Sequence, residues 1–386
     1  MEFSKKDTSV VKGVAVLFLI AYHCFSSVER LNGCDVSFYP LSQDMAVRIF
    51  ESMNICVGMF AFLSSYGLTK TMKFKHSTLE LNSQDNVMFV IKRVISLLGS
   101  FLIPYVLCTA GTLIFVGYNP YGKGVSFVCN LIIDMLGLAG LLHTPLLIGT
   151  WWYMSFALVI ILLMPFTVAM YKKYGILAIV PYAVLPVLFV PQFRSTEELT
   201  NMTRWLLTIP LGIIFADSDI LVKLKGVKLF RNKAVTKIFK FVILTFILFC
   251  LLKLRNTGWG KEKFYYYISS ILPVYFVYYL YEFVTDIPVL NSVLDFFGRH
   301  SSNIFYMHTF IRAIWFPKFT YSFKYAVLTF VFMVIGSLIL SFAVEGIKKL
   351  IRWNKFVKFI TDKLAQWVNK VFYCNEPSKV QKAGKA

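Results

Sequence analysis

The chain contains eleven apolar runs, and most are long enough to cross a lipid bilayer. They fall at roughly 10–28, 46–69, 91–116, 126–142, 151–171, 175–191, 203–216, 237–252, 265–284, 302–316 and 324–345. A helix rises about 1.5 Å per residue, so about 20 residues cross the hydrocarbon core, where every backbone polar group must be satisfied within the protein. The expected fold is therefore all-α, a polytopic transmembrane helix bundle. Composition agrees: 57% of residues are hydrophobic, the mean hydropathy is +0.65, and only 16% are charged, against about a quarter in soluble domains. The first run lacks a small-residue cleavage site and is followed by further spans, so it reads as a retained helix.

The formal charge of +20 could suit nucleic acid, but its distribution excludes that partner. Lysines and arginines gather in short loops and in the tail, as cytoplasmic flanks of membrane spans do. Lys5, Lys6 and Lys12 set the N-terminus inside, and Lys70, Lys73 and Lys75 set the next basic loop inside. Lys172, Lys173 and the basic loop 217–236 also fall inside only if residues 126–142 do not cross. The expectation is about ten membrane-spanning helices plus one partial or re-entrant element over 126–150. Both termini are then cytoplasmic, in a multi-pass protein of the cell inner (plasma) membrane.

Residues 1–347 form one transmembrane domain and residues 348–386 a basic tail. In that tail Trp353, Phe356, Val357, Ile360, Leu364, Trp367, Val368 and Val371 recur at helical spacing among lysines, which reads as an amphipathic helix on an anionic membrane surface. The last ten residues read as disordered. The seven cysteines show no CxxC spacing, so neither a metal site nor a disulfide framework is expected.

Ionisable groups within spans are costly and mark function. Lys12 and His23 lie eleven residues apart, about three helical turns, or roughly 16 Å along one face. His308 sits in another apolar run, and Ser301, Ile304 and Phe305 share its side of the helix. An imidazole is a natural base for a hydroxyl proton near neutral pH. Ser64, Ser65 and Gly67 allow close helix approach, and Trp151, Trp152 and Tyr153 suit an interfacial aromatic belt. Glu51 is expected to pair with Arg48. The chain contains no P-loop, GxSxG or HExxH motif.

These stretches together resemble the acyltransferase-3 family of integral membrane acyltransferases. Lys12, ten residues and then His23 fit the family's first-span motif. Met59-Phe60-Ala61-Phe62-Leu63-Ser64-Ser65-Tyr66 is similar to its FFxxSGY motif, with Ser65 where the family prefers Gly. Lys92, Arg93, Pro104 and Tyr105 match its basic third span, with Ser96 where a second Arg is common. Trp152-Tyr153 matches the W-[FY] stretch. Gly298, Ser301, Ile304, Phe305 and His308 match GxxSxxIYxxH with Phe for Tyr.

The resemblance covers residues 7–345 and implies transfer of an acyl group, usually acetyl, from cytoplasmic acyl-coenzyme A to a hydroxyl. The acceptor it implies is a surface or lipid-linked glycan, as in exopolysaccharide or capsule modification. Acetyl-coenzyme A is then a co-substrate, with no permanently bound cofactor or metal, and the membrane lipid is the other partner. Lys12, Lys92, Arg93 and Arg299 would meet the donor's phosphates. His23 would be general base or acyl relay, with His308 as the second catalytic residue. Ser64, Tyr66, Trp152 and Tyr153 would contact the acceptor. A transporter or flippase for a glycan, lipid or small metabolite is the alternative from another class; an acyltransferase acting on a soluble metabolite is a third.

Overall fold

The structure, a computed structural model, describes residues 2–75, 84–193, 197–259 and 264–373. Its first part comprises α1 (Lys5–Phe25), α2 (Gln43–Ser52), α3 (Ile55–Lys75), α4 (Gln84–Gly111), α5 (Gly124–Met135) and α6 (Ala139–Leu142). The middle comprises α7 (Trp152–Tyr174), α8 (Val180–Phe193), α9 (Glu197–Arg204), α10 (Thr208–Asp217), α11 (Ile220–Gly226) and α12 (Lys233–Asn256). The last part comprises α13 (Tyr265–Phe283), α14 (Pro288–Phe310), α15 (Pro317–Tyr321), α16 (Ala326–Leu350) and α17 (Trp353–Val368). Among the described residues the only β feature is an isolated bridge between Ser37 and Tyr325, so the all-α expectation holds.

The expected count of ten spans is not reached. Among the described residues, six helices are long and apolar enough to cross a membrane, and a seventh would be the pair Thr200–Asp217 and Ile220–Gly226, bent by 62°. Three features lower the count, the first being that the seven tyrosines of α13 hold its hydropathy down. Runs 151–171 and 175–191 form one apolar element, Gly149–Pro186. Helix α14 has 23 residues, enough for a crossing in length, but it carries Asp295, Arg299, His300, Asn303 and His308. It buries Asn303 and His308 where it packs against α1, α4 and α16, so it has no need of a wholly apolar surface. Helix α5 has twelve residues, too few for a full crossing.

Helix α1 starts at a capping box, in which the Ser4 hydroxyl accepts from the Asp7 N–H at 3.1 Å and the Asp7 carboxylate accepts from the Ser4 N–H at 2.9 Å. Its most extensive packing is against α14, and the two helices run parallel. A Cβ on Gly13 would strike the Leu294 carbonyl, and one on Gly298 would strike the Ser9 carbonyl. Two facing glycines therefore let the backbones touch. The Ser9 hydroxyl donates to the Asp295 carbonyl at 3.2 Å beside this contact.

Across the bundle, Ser65 of α3 fits against Gly212 of α10 and donates to the Thr208 carbonyl at 3.3 Å. Gly67, by contrast, faces open space and is not the close-approach residue expected. Helices α12 and α13 are joined by a buried ion pair, Lys240–Glu282 at 3.1 Å. Lys70 pairs with Asp219. Arg48 pairs with Asp44 at 2.9 Å rather than with Glu51, because i and i+4 stack on a helix face.

The tail helix α17 docks through one edge. Trp353 Nε1 donates to the Gly99 carbonyl at 2.7 Å, and Ala365 and Val368 pack on Met88. Phe356, Phe359 and Trp367 stay exposed, leaving an apolar stripe beside Lys355, Lys358 and Lys363. Residues 377–386, on which the expectation of disorder falls, lie outside the described residues. Cys24, Cys56 and Cys108 are buried packing residues, and no disulfide occurs among the described residues.

Candidate active site

The glycine contact fixes the register of α1 on α14, and ten residues beyond each glycine stands a histidine. His23 and His308 meet there with ring centroids 5.1 Å apart. After α1 the chain makes a 3-10 turn, Val28–Leu31, and reverses through Asn32 and Gly33 at φ +54° and +74°. Glycine tolerates that conformation, and Asn does so better than most other residues. Ser27, extended at φ −157°, breaks the helix, and the 3-10 turn after it sets Arg30 back over the end of α1. Its Nη1 lies 2.8 Å from His23 Nδ1 and 3.2 Å from the His23 carbonyl, and its guanidinium lies 4.9 Å from the Tyr22 ring centre.

These contacts assign the tautomers. Guanidinium only donates, so the Nδ1 of a neutral His23 is the lone pair and its Nε2 bears the proton. His308 is the reverse. Its Nδ1 lies 3.0 Å from the carbonyls of Ile304 and Phe305, which only accept, so Nδ1 holds the proton and Nε2 accepts from the Thr309 hydroxyl at 3.0 Å. His308 is fully buried with both ring nitrogens engaged.

Two cavities lie along the α1–α14 pair, and they share no lining residue. One, of about 350 Å³, is lined by Tyr22, His23, Arg30, Asn54, Trp152, Arg204, Thr309 and Arg312 among others. The other, of about 130 Å³, is lined by Lys12, Phe60, Ser64, Tyr153, Ser301, Phe305 and Tyr306 among others. Arg312 stands on a π-helical turn, Ile311–Trp315, that continues α14, and its Nη1 donates to the Arg30 carbonyl at 3.4 Å. A larger cavity of about 630 Å³ is lined by Leu17, Phe25, Phe38, Phe50 and Phe330 among others. It touches neither histidine and has no acid or base to offer.

The expected residues thus divide. His23 and Trp152 line the larger of the two polar cavities, while Lys12, Ser64 and Tyr153 line the smaller. His308 stands behind His23 and lines neither. Tyr66 is buried against Phe3, ring centroids 5.3 Å apart, away from both cavities. Lys92 is exposed, Arg93 lies beside the Phe89 ring at 5.5 Å, and Arg299 is exposed and paired with Asp295 at 3.4 Å. None of these three lines the Lys12 cavity. Trp151 is no belt residue: it is fully buried, and its Nε1 donates to the Tyr306 carbonyl at 3.0 Å.

Sequence reasoning missed Arg30, Arg204, Thr309 and Arg312. Arg30 and Arg204 lie at the ends of apolar runs, where a basic residue ordinarily reads as an interface anchor, while Thr309 and Arg312 lie inside the run 302–316. One signal was available. GVAVLFLIAYH (13–23) and GRHSSNIFYMH (298–308) share the same glycine-to-histidine spacing, as two parallel helices in register require.

A family model described as an acyltransferase domain matches residues 8–346. No curated protein and no solved structure matches the chain.

Proposed function

We propose a specific reaction for this chain, which belongs to the acyltransferase-3 family: transfer of an acetyl group from acetyl-coenzyme A to a glycan hydroxyl. The Lys12 cavity takes the donor, whose phosphates suit a lysine at its mouth. The His23 cavity takes the acceptor, a surface or lipid-linked saccharide of the kind built into capsule or exopolysaccharide. The protein sits in the inner membrane with both termini cytoplasmic, so the Lys12 end faces the cytoplasmic donor.

The observation that carries this reading is the histidine pair between two cavities with disjoint linings. In the transfer, Arg30 turns from His23 and uncovers the Nδ1 lone pair, which takes the acceptor's hydroxyl proton. The acceptor oxygen bonds to the thioester carbonyl carbon, the carbon–sulfur bond breaks, and the coenzyme A thiolate leaves and receives the proton from His23. General-base assistance of this kind contributes about 10²–10⁴-fold. His308, held by two backbone carbonyls, positions the His23 ring. A transporter would need a continuous polar path, and the packing of His308 and Phe305 between the cavities argues for passage of an acyl group alone.

The test is His23→Ala in membranes supplied with radiolabelled acetyl-coenzyme A. Glycan labelling should be lost at an unchanged protein level; retained labelling would remove His23 from the chemistry.

A further inference from the structure

The His23 cavity carries more positive charge than a neutral sugar requires. Arg30, Arg204 and Arg312 all line it, with Asn54 and Thr150 between them and no carboxylate in the lining. Among the described residues no acidic side chain forms an ion pair with any of the three arginines. Their partners are of other kinds: Arg30 sits on His23 and Tyr22, Arg204 lies over the Tyr265 ring at 4.9 Å, and Arg312 reaches a backbone carbonyl. Arg204 Nε, Arg312 Nε and Thr150 Oγ1 are buried without a hydrogen-bond partner. Glu51 lines the adjoining cavity with Arg255, and Arg255 already donates to Asn54 at 2.7 Å.

All three arginines are half-buried, so each gives up part of its hydration with no acidic partner in return, and the buried, unsatisfied Nε groups of Arg204 and Arg312 add to that cost. Guanidinium groups converging on one space form the arrangement that binds carboxylate or phosphate through paired N–H donors. A volume of about 350 Å³ lies within the range of small-molecule sites, about 300–1,000 Å³.

We infer that the acceptor is anionic: the group seated in this cavity carries a carboxylate or a phosphate, held by Arg204 and Arg312 with its reacting hydroxyl at His23. Calling the occupant an acceptor rests on the acyl-transfer reading; the anion site itself does not. The charge also supplies a reason for Arg30 to leave His23, since an anion beside Arg204 and Arg312 competes for its guanidinium. A neutral saccharide would leave the imidazole lone pair covered.

The experiment uses the purified full-length protein in phosphatidylcholine nanodiscs and reads thermal stability against three probes: methyl glucuronide, glucose 1-phosphate and methyl glucoside. The two anionic sugars should raise the midpoint and the neutral one should not. Arg204→Gln and Arg312→Gln should each weaken the anion's effect about 10- to 100-fold in the concentration needed, while His23→Ala keeps it. Arg204→Lys should recover part of it and guards against misfolding of the Gln variant. Equal shifts with charged and neutral sugars, or full shifts in both Gln variants, would overturn the inference. Coenzyme A is the second arm: if its stabilisation is lost in Arg204→Gln but retained in Lys12→Ala, the cavity holds the donor and the acceptor assignment fails. Anionic phosphatidylglycerol that raises the midpoint and abolishes the sugar effect would assign the site to a lipid headgroup, again against the proposal. Loss of transfer to every acceptor with the sugar shift intact would sink the acyl-transfer reading alone.

Discussion

Substituting Gly298 with alanine tests whether the α1–α14 contact sets the geometry at the histidines. A Cβ there would run into the Ser9 carbonyl oxygen and stand 2.6 Å from its carbon, whereas ordinary contacts begin at 3.4 Å, so the helices must part by more than about 0.8 Å. Both obstructing groups are backbone and cannot rotate aside. Overpacking of this kind costs about 1–3 kcal/mol, which a bundle of this size should survive. The larger effect falls on chemistry, because a displacement near 1 Å at reacting groups costs on the order of 100-fold. The His23–His308 stack, at 5.1 Å between centroids, lies on the same helix pair and moves with it.

The assay is acetyl transfer in membranes, normalised to protein amount, alongside thermal stability of the solubilised protein. Gly298→Ala should lose about 100-fold in rate while remaining folded. Gly13→Ala should behave alike, since its Cβ would lie 2.8 Å from the Leu294 carbonyl carbon. Gly67→Ala is the control: nothing lies within 4 Å of its added carbon, and alanine there should keep full activity and add about 0.4–1 kcal/mol. A Gly298→Ala protein with full activity would refute the register argument, because the chemistry would then tolerate the helix separation the substitution imposes.

Further outcomes follow from the same geometry. Arg30→Gln, which removes a guanidinium that leaves His23 to meet the acceptor's anion, should raise the acceptor KM about 10- to 100-fold with little change in donor KM. Arg30→Lys should restore part of that binding, and an unchanged acceptor KM would remove Arg30 from the anion's contacts. Lys12→Ala should raise the KM for acetyl-coenzyme A about tenfold, while Arg299→Ala and Lys92→Ala, whose side chains lie outside the Lys12 cavity, should leave it near the unmodified value. Equal losses in all three would show that the donor spreads over a wider surface than that cavity.

Much of this arrangement was legible in the sequence because helical periodicity is rigid over one span. Lys12 and His23 had to share a face of α1, and His308 had to face inward with Ser301 and Phe305. The arginines were not legible for the opposite reason. Arg30 reaches His23 only through the break at Ser27 and the 3-10 turn after it, and spacing along the chain does not give the direction of a turn. Arg204 and Arg312 stand at a helix end and on a π turn, where a one-residue change in winding redirects a side chain. The number of spans differs for a third reason: the apolar runs 151–171 and 175–191 are separate in the sequence but join in one element, Gly149–Pro186.

The wall between the two cavities has an electrical consequence. If coenzyme A stays at the Lys12 end and the anionic acceptor at the His23 end, the only matter to pass between them is an uncharged acetyl group. Moving one elementary charge through a membrane potential involves about 2.3 kcal/mol per 100 mV; moving an acetyl group involves none. The direction of the process is then set by the thioester bond, and no ion gradient is drawn down. Collapsing the potential with an ionophore should leave the initial rate unchanged, whereas export of an anionic cargo through the same bundle would respond to it.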